Sequence, residues 1–258
     1  MKIGMTQMDI LWENPEGNKE ICEKLVEKAA KEQAEMIVFP EMTLTGFTMR
    51  PECFSETGAE SFFHSLANKY GIAVLFGYIE KKNDRYFNML ELTDGQKTLM
   101  KYAKIHPFSF GGESRHYTGG DQIVTASFRN VSLGGFICYD LRFPEIFQIS
   151  SKSNEVIMVI ANWPEKRIDH WYALLKARAI ENQCFIIGVN RRGSGDGIVY
   201  KESSVAYNPY GELLAGQGQK GDLIYADIDS GQAMQYRREF PLKKDRRENI
   251  YNYLVRIY

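Results

Sequence analysis

No apolar stretch in the 258 residues approaches the roughly 18 that a membrane helix needs. The longest, residues 72–79 and 156–161, are the length of strands, so a membrane partner is not expected. Cysteine is sparse: Cys22, Cys53, Cys138 and Cys184 are scattered without a C-x-x-C pair, which indicates neither a disulfide framework nor a thiolate metal site. His64, His106, His116 and His170 are too dispersed to form a recognisable metal cluster, and H-E-x-x-H is absent. No metal or other cofactor is implied. A G-x-S-x-G nucleophile elbow is also missing, which removes the usual serine hydrolase. No charge of one sign dominates: 32 Lys and Arg against 33 Asp and Glu give a net charge of -1, so nucleic acid is not an expected partner. The N-terminus carries Asp9 and Glu13 where a secretion signal needs an unbroken apolar stretch, and the expected location is the cytoplasm. With no low-complexity linker and no internal repeat, residues 1–258 are expected to form one domain.

What is present is 44% hydrophobic residues in alternating strand and helix patterns, enough for a sizeable core. A strand at residues 2–7 is followed by residues 18–33, where Ile21, Cys22, Leu25, Val26, Ala29 and Ala30 recur at helical spacing. Residues 35–39 read as a buried strand stopped by Pro40. Phe62, Phe63, Leu66 and Tyr70 form a second helical stripe, ended by Gly71 as a left-handed cap. Residues 72–80 are a strand, and residues 88–92 and 98–105 make a hairpin around Asp94-Gly95. Strands at 131–137, 156–161 and 184–190 alternate with helices at 143–150 and 169–183. The rest, 199–208, 213–215 and 222–227, is hairpin-like, with a turn at residues 209–211. The alternation predicts an α/β fold, while the late hairpins argue against one purely parallel sheet. Two stacked mixed sheets with outer helix layers satisfy both.

Three reactive side chains each follow an apolar strand: Glu41, Lys104 and Cys138. Sites in α/β sheets form beyond the carboxyl ends of strands, so the three can converge on one cleft. A cysteine nucleophile needs a base, a carboxylate can serve, and an ammonium can stabilise the oxyanion formed on attack at a carbonyl. Together they fit acyl transfer. Taken singly, each has a bland alternative: a packed thiol, or a solvated strand-end charge.

The strings VFPEMTLTGF, YAKIHPF and GGFICYDLRFPE closely resemble, in order and spacing, the three signature blocks of the nitrilase, or carbon-nitrogen hydrolase, superfamily. The similarity continues through ANWP (161–164), HWYALLKARAIENQ (170–183), GVNRRGSG (188–195) and NPYGE (208–212). The resemblance implies the nitrilase-type fold, a four-layer α-β-β-α sandwich of two mixed sheets. It makes Glu41 the general base, Lys104 the oxyanion stabiliser and Cys138 the nucleophile forming a thioester, with Glu113 as a second glutamate that positions the lysine and the amide. The backbone N–H of Tyr139 is the candidate second oxyanion donor. CYDLRFP, ANWP, ARAIENQ and the late EFP look most like the bacterial omega-amidase branch, which acts on α-ketoglutaramate. On that analogy Arg142, four residues past Cys138, holds the substrate carboxylate, the alternative being a salt bridge to Glu145. His116 and Trp163 are candidate pocket walls, with ordinary packing as the alternative.

The implied activity is therefore a metal-free cysteine amidase acting on a small-molecule amide. The alternatives are another branch of the superfamily, an N-carbamoyl amidase or a nitrilase, and a non-catalytic binding subunit on the same fold. The intact set of Glu41, Lys104, Glu113 and Cys138 argues against the last. Residues 193–197 are read as a flexible turn, and packing is the expected role of Cys22, Cys53 and Cys184. The basic segment 237–247 is read as a solvated arm rather than an RNA or phosphate patch. The C-terminal arm of about residues 237–258, through its aromatic and aliphatic end 251–258, is expected to pack on the body or on a second subunit, and the resemblance implies a homodimer.

Overall fold

The computed structural model describes residues 1–257, apart from the side chains of Ser230 and residues 254–257. The first half of the chain runs β1 (Lys2–Thr6), α1 (Pro15–Lys31), β2 (Met36–Val38), α2 (Pro51–Phe54), α3 (Ala59–Tyr70), β3 (Ala73–Lys82), β4 (Arg85–Thr93) and β5 (Thr98–Ala103). The second runs β6 (Ala126–Phe128), β7 (Val131–Ile137), α4 (Pro144–Ser150), β8 (Val156–Ala161), α5 (Ile168–Asn182), β9 (Phe185–Asn190), β10 (Gly193–Gly195), β11 (Ile198–Tyr200), β12 (Val205–Tyr207), β13 (Leu213–Ala215), β14 (Leu223–Asp227), α6 (Ser230–Glu239) and α7 (Glu248–Ile257).

Two six-stranded mixed sheets result. The first has the order β14-β1-β2-β3-β4-β5, the second β13-β12-β9-β8-β7-β6. In each, the three strands connected through helices are parallel (β1, β2, β3 and β7, β8, β9), and antiparallel strands flank them: β4 and β5 by hairpins and β14, from the far end of the chain, in the first sheet, and β6, β12 and β13 in the second. Alternation along the strands builds the layers. Ile3, Met5, Met36, Val38 and Leu75 join the core shared with the second sheet, while Ile37, Val74 and Phe76 turn the other way onto α1 and α3. On that outer side α1 buries Cys22, Leu25, Val26 and Ala29, and Phe63 of α3 stacks on Phe76 with ring centroids 4.3 Å apart. On the far side Trp171, Leu175 and Ala179 of α5 cover the second sheet. The expected four-layer arrangement is the one observed. Asn14 caps α1 by accepting from the Gly17 N–H, and Gly71 ends α3 at φ +64°.

The expected hairpin around Asp94-Gly95 forms between β4 and β5, but a second pairing in this stretch was not foreseen and two other expectations need correction. Residues 73–93 form one long hairpin whose two-residue turn, Asn83-Asp84, is left-handed at both positions, a conformation that Asn and Asp tolerate. The apolar pattern stops at the charged Lys81, Lys82 and Arg85, which hides the strand ends. Residues 193–197 are not a loose turn: β10 pairs with β11 around Asp196-Gly197, again both left-handed, and the hairpin delivers Ile198 and Tyr200 to the pocket described below. The basic segment is no solvated arm at its start. Arg237 donates to the carbonyls of Gln183 and Asn154, and Lys243 donates to Ser151. Burial and the neighbouring Arg237 guanidinium pull the Lys243 ammonium down to about 8. Tyr251 and Tyr253 are exposed, and the side chains of residues 254–258 lie outside the described ones. Among the described residues no helix is long and apolar enough to cross a membrane.

Candidate active site

Glu41 lies three residues beyond β2 and is completely buried. Its Oε1 accepts from Lys104 Nζ (2.9 Å) and Asn88 Nδ2 (2.8 Å), and its Oε2 from the backbone N–H of Asn162 (2.9 Å). The turn that carries it is set by a close approach: β3 passes so near that a Cβ on Gly77 would lie 2.6 Å from Met42 N and 2.9 Å from Glu41 Cα. Gly77→Ala is therefore expected to cost about 1–3 kcal/mol and to lower the thermal midpoint by several degrees. An unchanged melting curve would show that the turn has slack.

Lys104 follows β5 and is 1% exposed. Its ammonium donates to Glu41 Oε1 and to both oxygens of Glu113 (3.0 and 2.8 Å). Burial alone would pull its pKa down, but the Glu113 and Glu41 carboxylates outweigh it and hold the group above the ordinary lysine range. Glu113 opens a short 3-10 turn after Gly111-Gly112 and is fully buried. It accepts from Asn88 Nδ2 (2.9 Å) and from the backbone N–H of Phe108. Burial pushes its pKa up, Lys104 opposes and Glu41 adds to the rise.

Cys138 lies at the end of β7, in the left-handed region at φ +47°, and begins a 3-10 turn through Arg142. A non-glycine residue held there is strained, and such strain clusters at functional sites. Its Sγ lies 4.0 Å from the carbonyl oxygen of Asn162, the residue whose N–H holds Glu41. Burial and then the Glu41 charge push the thiol well above its ordinary pKa, with Lys104 opposing. Asp140, buried two residues on, ties this turn to the lysine loop. It accepts from the Ile137 N–H (3.1 Å), Tyr102 OH (2.8 Å), the His106 N–H (3.0 Å) and His106 Nδ1 (2.8 Å).

The pocket over Cys138 is small, about 50 Å³, and is walled by Phe47, Phe108, Tyr139, Trp163, Ile198 and Tyr200, with Asn162, Arg142 and Arg167 among its lining residues. Arg142 lies over the Trp163 ring, 5.0 Å to its centroid, and its Nη2 is 3.4 Å from His170 Nδ1. The alternative pairing of Arg142 with Glu145 does not form among the described residues. His116 is exposed and lines a separate surface groove with Tyr86 and Arg115, so it is no wall of this pocket. A larger groove of about 780 Å³, past Lys82, Arg85 and Asp121, touches none of the residues around Cys138. Cys22 and Cys184 are packed as expected, whereas Cys53 is exposed on α2.

Glu41, Lys104, Glu113, Cys138, Tyr139, Arg142 and Trp163 thus come together, and His116 does not. Asn88, whose single Nδ2 bridges both glutamates, and Arg167 were not singled out from the sequence. A buried asparagine inside the apolar strand Asn88-Met-Leu was the available signal for the first. For Arg167 nothing in the exposed-looking run Glu165-Lys-Arg167 marked one residue out.

The chain is similar to known proteins along most of its length. The chain is 33% identical over 256 residues to the 2-oxoglutaramate amidase of Bacillus subtilis, covering 96% of this chain and 98% of that protein. It is 30% identical over 249 residues to omega-amidase YafV of Escherichia coli K12, covering 95% and 96%. Among solved structures, the CN-hydrolase superfamily protein XC1258 of Xanthomonas campestris, with an arsenic adduct in its active site, superposes with a TM-score of 0.89 at 25% identity, covering 95% of this chain and 97% of that one. The amidase from Nesterenkonia sp. AN1 shares the fold with a TM-score of 0.87 at 22% identity, covering 98% and 99%. The carbon-nitrogen hydrolase family model matches residues 2–238, so this chain belongs to that family and is a hydrolase of carbon-nitrogen bonds other than peptide bonds.

Proposed function

We propose that the chain is an omega-amidase that hydrolyses the terminal amide of a small carboxylate-bearing substrate, α-ketoglutaramate to α-ketoglutarate and ammonia, through a thioester on Cys138. The observation that carries the reading is a buried ammonium shared by two carboxylates, joined through Asn162 to a cysteine that opens into a pocket containing arginine. The names of the relatives from B. subtilis and E. coli support the substrate class.

The chemistry follows from the charges. Two carboxylates against one ammonium leave the cluster with an excess negative charge, so a resting thiolate beside it is disfavoured and Cys138 waits as a thiol. On attack, Sγ bonds to the amide carbon as Glu41 takes the thiol proton, and the oxyanion is held by Lys104 Nζ and the Tyr139 N–H. Collapse breaks the C–N bond, Glu41 returns the proton to the leaving nitrogen, and ammonia departs from the thioester. Water then attacks the thioester carbon while Glu41 accepts its proton. Expulsion of the sulfur and its reprotonation release the acid. Glu113 and Asn88 keep the ammonium and the base in place throughout.

Ammonia release measured across a panel of short amides and nitriles tests the reading. Anionic omega-amides such as α-ketoglutaramate and succinamate are expected to be cleaved much faster than neutral amides of equal length, and nitriles poorly. Arg142→Ala should raise KM for the anionic substrate about ten- to a hundredfold, since a charge-assisted hydrogen bond contributes roughly 1.5–3 kcal/mol. If neutral amides, N-carbamoyl compounds or nitriles are preferred, the chain is another branch of the family.

A further inference from the structure

We propose that Arg167 is a second anion-binding residue of this pocket, and that the two guanidinium groups at its mouth, set against the carboxylate-rich cluster beneath it, select substrates with a neutral amide at one end and a carboxylate at the other. The inference rests on the amidase reading and goes further, by assigning a residue and a reason for which end is cut.

Arg167 closes the 3-10 turn Glu165–Arg167 just before α5. Its backbone is fixed, because its carbonyl oxygen accepts from Trp163 Nε1 at 2.7 Å. Its guanidinium lies over the ring of Phe108, 5.7 Å to the centroid, as that of Arg142 lies over Trp163. The two walls of the pocket each carry a cation. A guanidinium held over a ring by a cation–π contact still has N–H groups to offer an oxygen acceptor. No aspartate or glutamate is among the residues lining the pocket, and among the described residues neither arginine forms an ion pair. Two partly desolvated cations facing one small cavity without an anion repel each other, and a bound carboxylate relieves that cost.

Beneath them the sign reverses. Glu41 and Glu113 outnumber Lys104 in the buried cluster behind Cys138, and Phe108, over which Arg167 lies, donates its backbone N–H to Glu113, so the loop 108–113 links that wall of the pocket to the carboxylates. A substrate carboxylate is repelled by the buried carboxylates behind Cys138 and drawn to the two arginines, while the uncharged amide meets no such penalty beside Cys138. The polarity orients the molecule before chemistry begins.

The test compares succinamate with butyramide, a neutral amide of similar length, in wild type, Arg167→Met, Arg167→Lys and the double variant Arg142→Ala/Arg167→Met. Methionine keeps an unbranched stem against Phe108. Arg167→Met is expected to lower the ratio of kcat/KM for succinamate over butyramide at least tenfold, chiefly through KM for succinamate. Lysine should recover part of the ratio, and the double variant should bring it close to one. In parallel, calorimetric binding of succinate to a Cys138→Ala protein should weaken about tenfold when Arg167→Met is added. Equal loss on both substrates would assign Arg167 to holding Trp163 and Phe108 in place, and an unchanged ratio with unchanged succinate binding would make it a surface residue; either overturns the inference. Wild type that releases ammonia from neither amide would instead overturn the amidase reading, and the succinate titration still tests the anion site.

Discussion

Cys138→Ala is expected to abolish amide hydrolysis, a loss on the order of a millionfold by analogy with removal of other catalytic nucleophiles, while the protein melts within a few degrees of wild type. The side chain lost is small and lines the pocket rather than filling the core, so little packing goes with it. Trapping wild type with substrate and acid should add one acyl group, mapped by peptide mass to Cys138. Three other thiols make the mapping informative. Cys22 and Cys184 are fully buried in the core and neither lines the pocket, so substrate does not reach them. Cys53 is exposed and open to general thiol reagents, which is why the substrate itself must be the probe. An acyl group on Cys53, or turnover in the alanine variant, would end the assignment.

The second large effect is expected at Lys104, where two losses combine. Without its ammonium the oxyanion loses a donor, worth on the order of a hundred- to a thousandfold in turnover. The fold loses the cation that compensates two fully buried carboxylates, and breaking such a set costs roughly 3–5 kcal/mol. Lys104→Met therefore acts on kcat and on the thermal midpoint together. Its pH dependence has a definite sign. With the counter-charge gone, burial and the neighbouring Glu41 charge are no longer opposed by the ammonium, and the folded-state pKa of Glu113 rises further above its unfolded value. The folded state then binds protons that the unfolded state releases, and stability falls as pH rises through that window. The variant should melt higher at about pH 5.5 than at about pH 8, and adding Glu113→Gln should shrink the difference. A Lys104→Met protein with normal turnover would show that another donor carries the oxyanion.

The sequence made the layers legible because both faces of the central strands are buried, so apolar runs such as residues 156–161 coincide with a strand end to end. It was weakest where pairing rather than burial decides, as in the exposed, charged tip of the β3–β4 hairpin and the short β10–β11 pair. For the site, single residues after apolar strands pointed to Glu41, Lys104 and Cys138, and the resemblance added Glu113. Asn88 was hidden because its role exists only once two distant glutamates have been brought within reach of one amide nitrogen. His116 illustrates the opposite error. Three residues from Glu113, it is exposed and lines the separate groove while Glu113 is fully buried, so nearness in sequence did not carry it into the pocket.

One feature of the topology bears on how the enzyme is made. β1, synthesised before the other strands of its sheet, lies between β2 and β14, and the backbone nitrogen of Met1 donates to the carbonyl of Ile228. The sheet that positions Glu41 and Lys104 therefore keeps an open edge on the ribosome long after those residues, and Cys138 with them, have been translated. Until β14 emerges that edge is available to other chains, so the interval of greatest aggregation risk falls late in synthesis. Chains truncated before residue 223 should be poor folders even though every residue of the Glu41, Lys104 and Cys138 set is present in them.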